Sequence, residues 1–464
     1  VPPTSILWLR RDLRRGDLPA LGAAHHAACS DDGPGEAAVV FVVDPALWQG
    51  AGDARRAWLA ASLEAADAAY EGRLCVREGD PVTVLPRLAE ELGAGSVHVS
   101  RETTPAGRRR DGAVAAALAE AGVEWVETGS PYAVGPGSVL NGEGAPYKVF
   151  TPFARAWRDH GWPAPAPEPE GLRLAQVRSD RSAVQRLQQA RDAADLPDLS
   201  EAGEAAALRR WADFRDGALA RYGTDRDRAD LDGVSRLSPY LKIGAVHPRT
   251  LLADLADGRR HPGDGAERFA TELAWREFYA DVLWHHPTSA WHDLRGSLSG
   301  MDYDDVGDAV EAWRQGRTGY PVVDAAMRQL LREGWMHNRM RMVTASFLTK
   351  DLHVWWPVGA RHFLDHLVDG DIASNNHGWQ WVAGTGTDAS PYFRVFNPVT
   401  QGLRFDPHGD YVRRYVPELA HLPGKAAHEP WKHADGHAHG YPERIVDHAE
   451  ERREALRRHD AARG

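Results

Sequence analysis

Residues 5–14 read SILWLRRDLR, a short apolar run that stops abruptly in charge. Such a run marks a strand buried on both faces, its C-terminal end emerging at a rim. Similar β-rich runs recur at residues 37–43, 73–77, 96–100 and 124–127. Between them lie Ala- and Leu-rich stretches with helical spacing; Leu59, Leu63, Ala66 and Tyr70 form one such stripe. Strands alternating with helices predict an α/β domain over residues 1–129, with a five-stranded parallel sheet covered on both faces. No GxGxxG follows the first strand, so the dinucleotide fingerprint is absent. Ligands of such sheets sit beyond the strand C-termini. There stand Arg10, Arg11, Asp12, Arg14, Asp44, Arg101 and Glu102. A solvated rim would carry the same charges, and residue types alone do not separate the two readings.

Outward from this domain the pattern changes. Residues 135–144 are Gly-rich, and residues 161–169 (GWPAPAPEP) form a stiff, polyproline-like tract. Residues 130–197 therefore read as a linker wrapped over a surface, without a core of its own. Residues 198–464 read as helical almost throughout, an all-α second domain. Met336, Met340, Val343 and Phe347 fall at i, i+4, i+7 and i+11, one buried helical face. Asn338, Arg341 and Met342 share a different, polar face, the kind that abuts a ligand or a groove.

Composition bounds the function. At 464 residues the chain exceeds one core. There is no long apolar run to span a membrane. The opening puts its charge after the apolar run, the reverse of a signal peptide. Two cysteines, Cys29 and Cys75, cannot make a disulfide framework or ligate an iron–sulfur cluster. A cytoplasmic protein is the expectation. The net charge of −11 argues against nucleic acid globally, but DNA responds to a local basic face. Trp is over-used: 17 against 11 Phe, which is either extra packing or a supply of rings for base stacking and for carrying an electron hole. On composition alone, packing is the better reading.

Residues 367–398 read LVDGDIASNNHGWQWVAGTGTDASPYFRVFNP. Asp369, Asp371, Asn375, Asn376, Trp379 and Trp381 crowd into one short segment. A surface loop would not carry both Trp, and a core would not carry unpaired acids. The stretch reads as a polar pocket walled with aromatics, built for a large planar ligand.

Four further constellations each admit a plain alternative. Residues 233–238 (GVSRLS) offer hydroxyls, backbone N–H groups and an Arg at a helix start, an anion site suited to a diphosphate. Taken alone, an ordinary N-cap is the better reading. Arg341 with Asp369 and Asp371 would flank a flavin, the Arg stabilising charge on the reduced ring; a salt bridge with turn residues fits equally. His362 and His366, with Asp365 between and His377 as a third donor, approach zinc-hydrolase spacing. With 22 His in the chain, i+4 pairs arise by chance, so no metal is expected. Arg226, Arg339 and Arg394, with Trp275, Trp381 and Tyr392, suit a nucleic-acid backbone plus a base taken out of its stack. Singly, each Arg reads as a structural cation–π contact.

Together these pieces resemble the photolyase/cryptochrome family, and most of all its bacterial (class I) cyclobutane-pyrimidine-dimer photolyases. The likeness runs nearly end to end: WLRRDLR near the start, PYKVFTPF at residues 146–153, SRLSPYLKIG at 235–244, ELAWREFY at 272–279, GYPVVDAAMRQL at 319–330, GWMHNRMRM at 334–342, and residues 367–398. The resemblance implies a Rossmann-like antenna domain joined by the linker to a helical domain that holds FAD and DNA. Tyr222 and Val234, Ser235, Arg236, Leu237 and Ser238 would hold the FAD phosphates and ribityl chain. Phe269, Glu272, Trp275, Asn338 and Arg341 would line its adenine and ring, with Asp369, Asp371 and Asn375 at the flavin edge. The implied activity is blue- or near-UV-driven repair, the reduced flavin lending an electron to a flipped-out pyrimidine dimer. Catalysis would rest on Glu272, Asn338, Met342, Trp275, Trp381 and Asn375, and DNA contact on Arg226, Arg339 and Arg394. The partner the resemblance implies is UV-damaged DNA, met by a monomer in the bacterial cytosol and nucleoid.

The departures from the family pattern set further expectations. Trp379 and Trp356 match the first two members of a photoreduction chain, but Tyr303 stands at the outer position, with Trp355 or Trp291 as substitutes. Val234 replaces a commonly found Thr. Gly107 occupies the place where folate-binding relatives carry Glu, while Arg10, Arg55, Glu102 and Lys242 resemble deazaflavin-binding relatives. The antenna expected is therefore 8-hydroxy-5-deazaflavin rather than folate. A cryptochrome-type blue-light receptor without repair activity is the alternative, and Asn338, Met342 and Asn375 argue against it.

Overall fold

The structure, a computed structural model, describes residues 4–29, 35–194, 201–256, 264–387 and 393–463. Strands β1 (Thr4–Leu9), β2 (Glu36–Val43), β3 (Leu74–Glu78), β4 (Ala94–Val99) and β5 (Glu124–Glu127) form one parallel sheet in the order β3-β2-β1-β4-β5. Parallel strands need crossovers, and those put helices on both faces. Helices Pro19–Ala28, Asp53–Ala69, Pro81–Leu92 and Pro105–Glu120 do so here, leaving Ile6, Leu7, Val39 and Val40 fully buried. The sequential order reverses between β1 and β4. The charged residues after those two strands thus stand at the switch point, where such sheets open a crevice.

Strand periodicity decides what each face meets. Ile6 and Trp8 pack in a cluster confined mainly to the sheet and its own helices. Leu7 and Leu9 pack in a second cluster that also contains Tyr240, Phe269 and Phe278 of the helical domain. One face of the sheet is therefore the docking face. Gly244, closing the SRLSPYLKIG segment, has φ +72°, and a Cβ there would lie 1.9 Å from the Arg11 carbonyl. Only glycine permits that approach, which Leu13 N completes by donating to Ile243 O at 3.1 Å.

Residues 130–194 do more than wrap a surface. The Phe150–His160 helix buries Phe150, Phe153, Ala154 and Trp157 in the common core. Glu277 accepts from Ala133 N at 2.5 Å, Val134 N at 3.1 Å and Trp157 Nε1 at 2.9 Å, tying this segment to the Gly265–His285 helix. Ala37 N donates to Arg173 O at 2.8 Å, and Ala175 N to Ala37 O at 3.0 Å, so the segment also borders the sheet. The segment thus shares the core of its neighbours. The linker end at residues 197 and 198 lies outside the described residues.

The second domain is helical. The helices that shape its interior are Gly265–His285, Pro321–Glu333, Asn338–Ser346, Trp356–His366 and Ile372–Ala383. Met336, Met340, Val343 and Phe347 are buried on one face as the spacing requires. The Asn338–Ser346 helix continues into a wider π turn, Phe347–Asp351. No helix among the described residues is long and apolar enough to cross a membrane.

Candidate functional site

Asp371 begins the Ile372–Ala383 helix and caps it, accepting from Ala373 N at 3.1 Å and Ser374 N at 3.0 Å. The same carboxylate receives Arg11 Nη2 from the sheet domain at 2.8 Å, and Lys242 Nζ stands 3.6 Å away. Burial alone would raise the Asp371 pKa, but Arg11 and then Lys242 outweigh it and hold the acid ionised well below the usual carboxylate range. Burial, with help from Arg11, draws the Lys242 ammonium down to about 8. Glu102 lies 3.7 Å from Arg11 and accepts from Thr103 N and Thr104 N. Burial opposes its ionisation, yet Arg11 and Arg10 bring it to about 2.

Asp369 is gripped by both guanidinium nitrogens of Arg341, at 3.2 and 2.7 Å, while Arg341 Nε donates to Met336 O at 2.8 Å. This fork fixes the Arg in one plane beside the pocket. Asn375 donates its amide hydrogens to Ala360 O at 3.1 Å and Asn376 Oδ1 at 2.8 Å. Those two acceptors set the amide orientation and leave the Asn375 carbonyl oxygen turned to other use.

The 233–238 loop borders a cavity of about 350 Å³ lined by Val234, Arg236, Arg210, Arg414, Trp335 and His337, among others. Arg236 has φ +50°, a strained setting for a side-chain-bearing residue, and its guanidinium stacks 4.4 Å over Trp335. His337 Nδ1 accepts from Arg339 N at 3.2 Å, so its proton belongs on Nε2. That Nε2 is buried and finds no partner among the described residues. Burial lowers the His337 pKa to about 4, so the ring is a neutral donor. Three guanidiniums and an unused N–H facing a cavity suit a phosphate-bearing group. The helix after the loop, Ser238–Ile243, is a single short turn and a half. Its dipole therefore adds little, and the side chains carry the charge. Tyr222 and Phe269 meet at 5.7 Å within an aromatic cluster completed by Trp211 and Phe214.

Glu272, Arg226, Asp227 and Arg339 form a second polar group. Arg226 Nη1 bonds Glu272 directly, and Arg339 Nη2 reaches Asp227 at 2.9 Å. Burial raises the Glu272 pKa, and the nearby Arg226 only partly offsets it. Arg339 Nη1 also approaches Met342 Sδ at 3.6 Å, while Asn338 is exposed at the start of its helix. Trp275 stacks on Phe150 at 3.6 Å, and Trp381 packs half-buried against the other core cluster. Lys350 Nζ donates to Arg394 O and stands 4.2 Å over the Phe393 ring. Tyr392, which the aromatic–basic pattern includes, lies outside the described residues.

Trp379 is buried between Phe363 and Trp313, at 4.9 and 6.1 Å. Trp356 is fully buried and donates to Asp293 Oδ1 at 2.6 Å. Trp355 donates to the same oxygen at 3.2 Å. Tyr303 is half-buried, and burial followed by the Asp293 charge raises its phenol pKa. The His362 and His366 rings lie 4.3 Å apart and tilted, but no three His, Cys, Asp or Glu among the described residues are grouped to hold a metal.

Of the four antenna candidates, Lys242 and Glu102 face the Arg11 network. Arg55 donates to Gly50 O at 3.1 Å, and a Cβ added at Gly370 would lie 2.9 Å from its Nη1. Arg10 turns the other way: it bonds Asp111 and Ser100 O and lies 4.7 Å over Trp8. Asp293, Asp227 and His337 are the residues that sequence reasoning did not single out, and Arg11 stood there only as one of the charges at the rim. For Arg11 a signal existed. Beyond Leu9 the strand alternation puts Arg10 with Trp8 and Arg11 with Leu9, on the docking face.

A parallel-sheet domain docked on a helical domain, with a basic cavity and a buried acid–amide cluster, defines a two-domain nucleotide-cofactor protein. Residues 5–170 match the family described as DNA photolyase, and residues 269–461 the FAD binding domain of DNA photolyase. The chain is 42% identical over 99% of both lengths to a deoxyribodipyrimidine photo-lyase of Streptomyces griseus. It is similar to the crystal structure of a bacterial class III photolyase from Agrobacterium tumefaciens, with TM-score 0.89, 36% identity, and 100% and 98% of the two chains covered. It is similar also to a Synechocystis cryptochrome, with TM-score 0.88, 26% identity, and 98% and 99% covered. The chain belongs to the DNA photolyase family.

Proposed function

We propose that this protein repairs cyclobutane pyrimidine dimers in DNA under blue or near-UV light, as a monomer in the cytoplasm. FAD bound in the helical domain supplies, when reduced and excited, the electron that opens the dimer. The carrying observation is the polar group around Glu272: a half-buried acid whose pKa burial raises against its ion pair with Arg226, on the helix that also carries half-buried Trp275. A carbonyl gaining an electron becomes a stronger acceptor, so a neutral carboxyl donor aids the charged state more than the ground state. Trp275 and Trp381 give apolar walls against which an extruded dimer regains part of its unstacking cost of about a few kcal/mol. Arg226, Arg339 and Arg394 hold the phosphates beside it.

The residues present fit FAD. Arg236, His337 and the 233–238 backbone would hold its phosphates, Tyr222 and Phe269 would border it, and Arg341, Asp369 and Asp371 would flank its ring. Asn375 is suited to an N–H donor: both its amide hydrogens are used, so its free oxygen accepts. Such an acceptor would favour the fully reduced, N–H-bearing form of the ring. For the antenna, Gly107 supports 8-hydroxy-5-deazaflavin over folate. A Cβ at 107 would lie 2.2 Å from Glu102 Cγ, so a Glu there is incompatible with Glu102 as placed.

The test is repair of a thymine-dimer oligonucleotide by purified, photoreduced protein, under blue light and in the dark. Light-dependent repair is expected. Dimer binding without repair, with reduced FAD present, would overturn the reading in favour of a cryptochrome-type receptor.

A further inference from the structure

The Trp355–Trp356 pair carries an inference that rests on the flavin reading and goes beyond it. The Trp379 ring packs against the Trp356–His366 helix at Gly359, where a Cβ would lie 2.2 Å from Trp379 Cη2. Gly359 is three residues after Trp356 and hence on its face of the helix. Trp379 thus packs on the helix face that carries Trp356. Trp356 is fully buried, so an electron hole reaching it needs a further step to solvent. Three aromatic residues compete for that step.

Tyr303 is poorly equipped. A phenol must lose its proton on oxidation, and among the described residues the Tyr303 hydroxyl has no hydrogen-bond acceptor. Trp291 lies under the Arg361 guanidinium at 4.4 Å, and that positive charge opposes a second one on the ring. Trp355 has neither handicap. It is 37% exposed, its ring centroid is 6.4 Å from that of Trp356, and both indole N–H groups point at Asp293 Oδ1.

We propose that Trp355 is the surface exit of the hole and that Asp293 is the positioning residue joining it to Trp356. The oxidant is photo-excited oxidised flavin, and the final reductant is a thiol in solution. One electron passes from Trp379 to the flavin, one from Trp356 to Trp379, and one from Trp355 to Trp356. Oxidation makes the indole N–H of Trp355 strongly acidic, and its proton moves to the Asp293 carboxylate. The thiol then gives an electron to Trp355, the Asp293 proton returns to the indole nitrogen, and the thiol's own proton goes to solvent.

The experiment follows bleaching of oxidised flavin in the holoprotein under blue light with dithiothreitol, and the optical spectrum of the radical after a flash. Trp355→Phe should slow bleaching by about an order of magnitude, whereas Tyr303→Phe should leave it nearly unchanged. Asp293→Asn keeps an acceptor for both N–H groups but takes no proton, so the flash should leave a tryptophan radical cation where the native protein gives the neutral radical. A merely structural Asp293 would not alter that signature. In parallel, a ruthenium photo-oxidant in solution injects a hole without using the flavin. Trp355→Phe should lower the tryptophan-radical yield in that arm too. Slow bleaching in Tyr303→Phe with native behaviour in Trp355→Phe would overturn the proposal. Absence of flavin from the purified protein would instead overturn the cofactor reading, with the ruthenium arm still deciding on Trp355.

Discussion

Arg11 Nη2 and Asp371 Oδ2 meet at 2.8 Å between the sheet domain and the helical domain, on a carboxylate that also caps the Ile372–Ala383 helix. The contact joins the crevice at the sheet's switch point to the segment that carries Asn375 and Trp379. Asp371→Asn keeps the cap but removes the nearest countercharge of Arg11 and Lys242, leaving Arg11 with Glu102 at 3.7 Å. Breaking a buried pair from one side costs about 3–5 kcal/mol. Urea unfolding should register that loss as a lower midpoint at an unchanged slope.

Acid should expose the same contact. Asp371 lies well below its ordinary value and Glu102 at about 2. Groups depressed in the folded state bind protons more readily when unfolded, so stability falls as pH falls. Their contribution is complete above the unfolded values of about 4 and disappears toward the folded ones. Thermal melts of the native protein should drop steeply below pH about 4, and Asp371→Asn should flatten that limb. An equally steep limb in the variant would remove Asp371 from the account.

Glu272 makes a prediction of opposite sense. Burial raises its pKa, so a protonated, donating carboxyl at this position is lost as pH rises. Repair yield per absorbed photon should therefore decline toward alkaline pH in the native protein. Glu272→Gln keeps a donor that does not titrate, so its yield should vary less with pH, while Glu272→Ala should lower the yield throughout. A native yield that is flat with pH, or an Ala variant with full yield, would remove the role.

The fold was legible because its signals are periodic. Five apolar runs gave five strands, displaced by no more than a residue or two at their ends, and Met336, Met340, Val343 and Phe347 gave a buried helix face. The linker was harder: its Pro and Gly content suggested a strap, while Phe153 and Trp157 enter the common core. Nothing local announces that, because the partner, Glu277, stands more than a hundred residues away. For the same reason Asp293 was invisible. An isolated acid in a loop has no pattern, and only the fold brings two indoles onto it. Arg10 and Arg11 were adjacent in sequence and separable only by strand alternation, which sends them to opposite faces.

Gly107 tests the antenna side. A side chain there would press on Glu102 Cγ at 2.2 Å and Thr104 Oγ1 at 2.8 Å. Gly107→Glu should displace Glu102 from the backbone N–H groups of Thr103 and Thr104, and overpacking of this kind costs about 1–3 kcal/mol. Reconstitution with 8-hydroxy-5-deazaflavin, read by energy transfer to the flavin, should succeed in the native protein and fail in the variant. Retention of the deazaflavin by Gly107→Glu would detach Glu102 from antenna binding.

Gly359 tests whether the aromatic interior is as tightly set as the electron path requires. An added Cβ would lie 2.2 Å from Trp379 Cη2, 2.5 Å from its Cζ3 and 2.6 Å from Leu348 Cδ2. Trp379 cannot retreat easily, because Phe363 and Trp313 hold it on other sides. Gly→Ala in a helix would by itself favour the helix by about 1 kcal/mol, whereas forcing a ring out of a packed core costs about 1–3 kcal/mol. The clash should win, so Gly359→Ala should melt lower than the native protein and lose near-UV circular dichroism from the displaced indole. Photoreduction should slow as well, since Trp379 would no longer lie against the helix that bears Trp356. A variant that melts higher, with native dichroism, would mean that the ring has room to move and that the glycine serves only to loosen the helix.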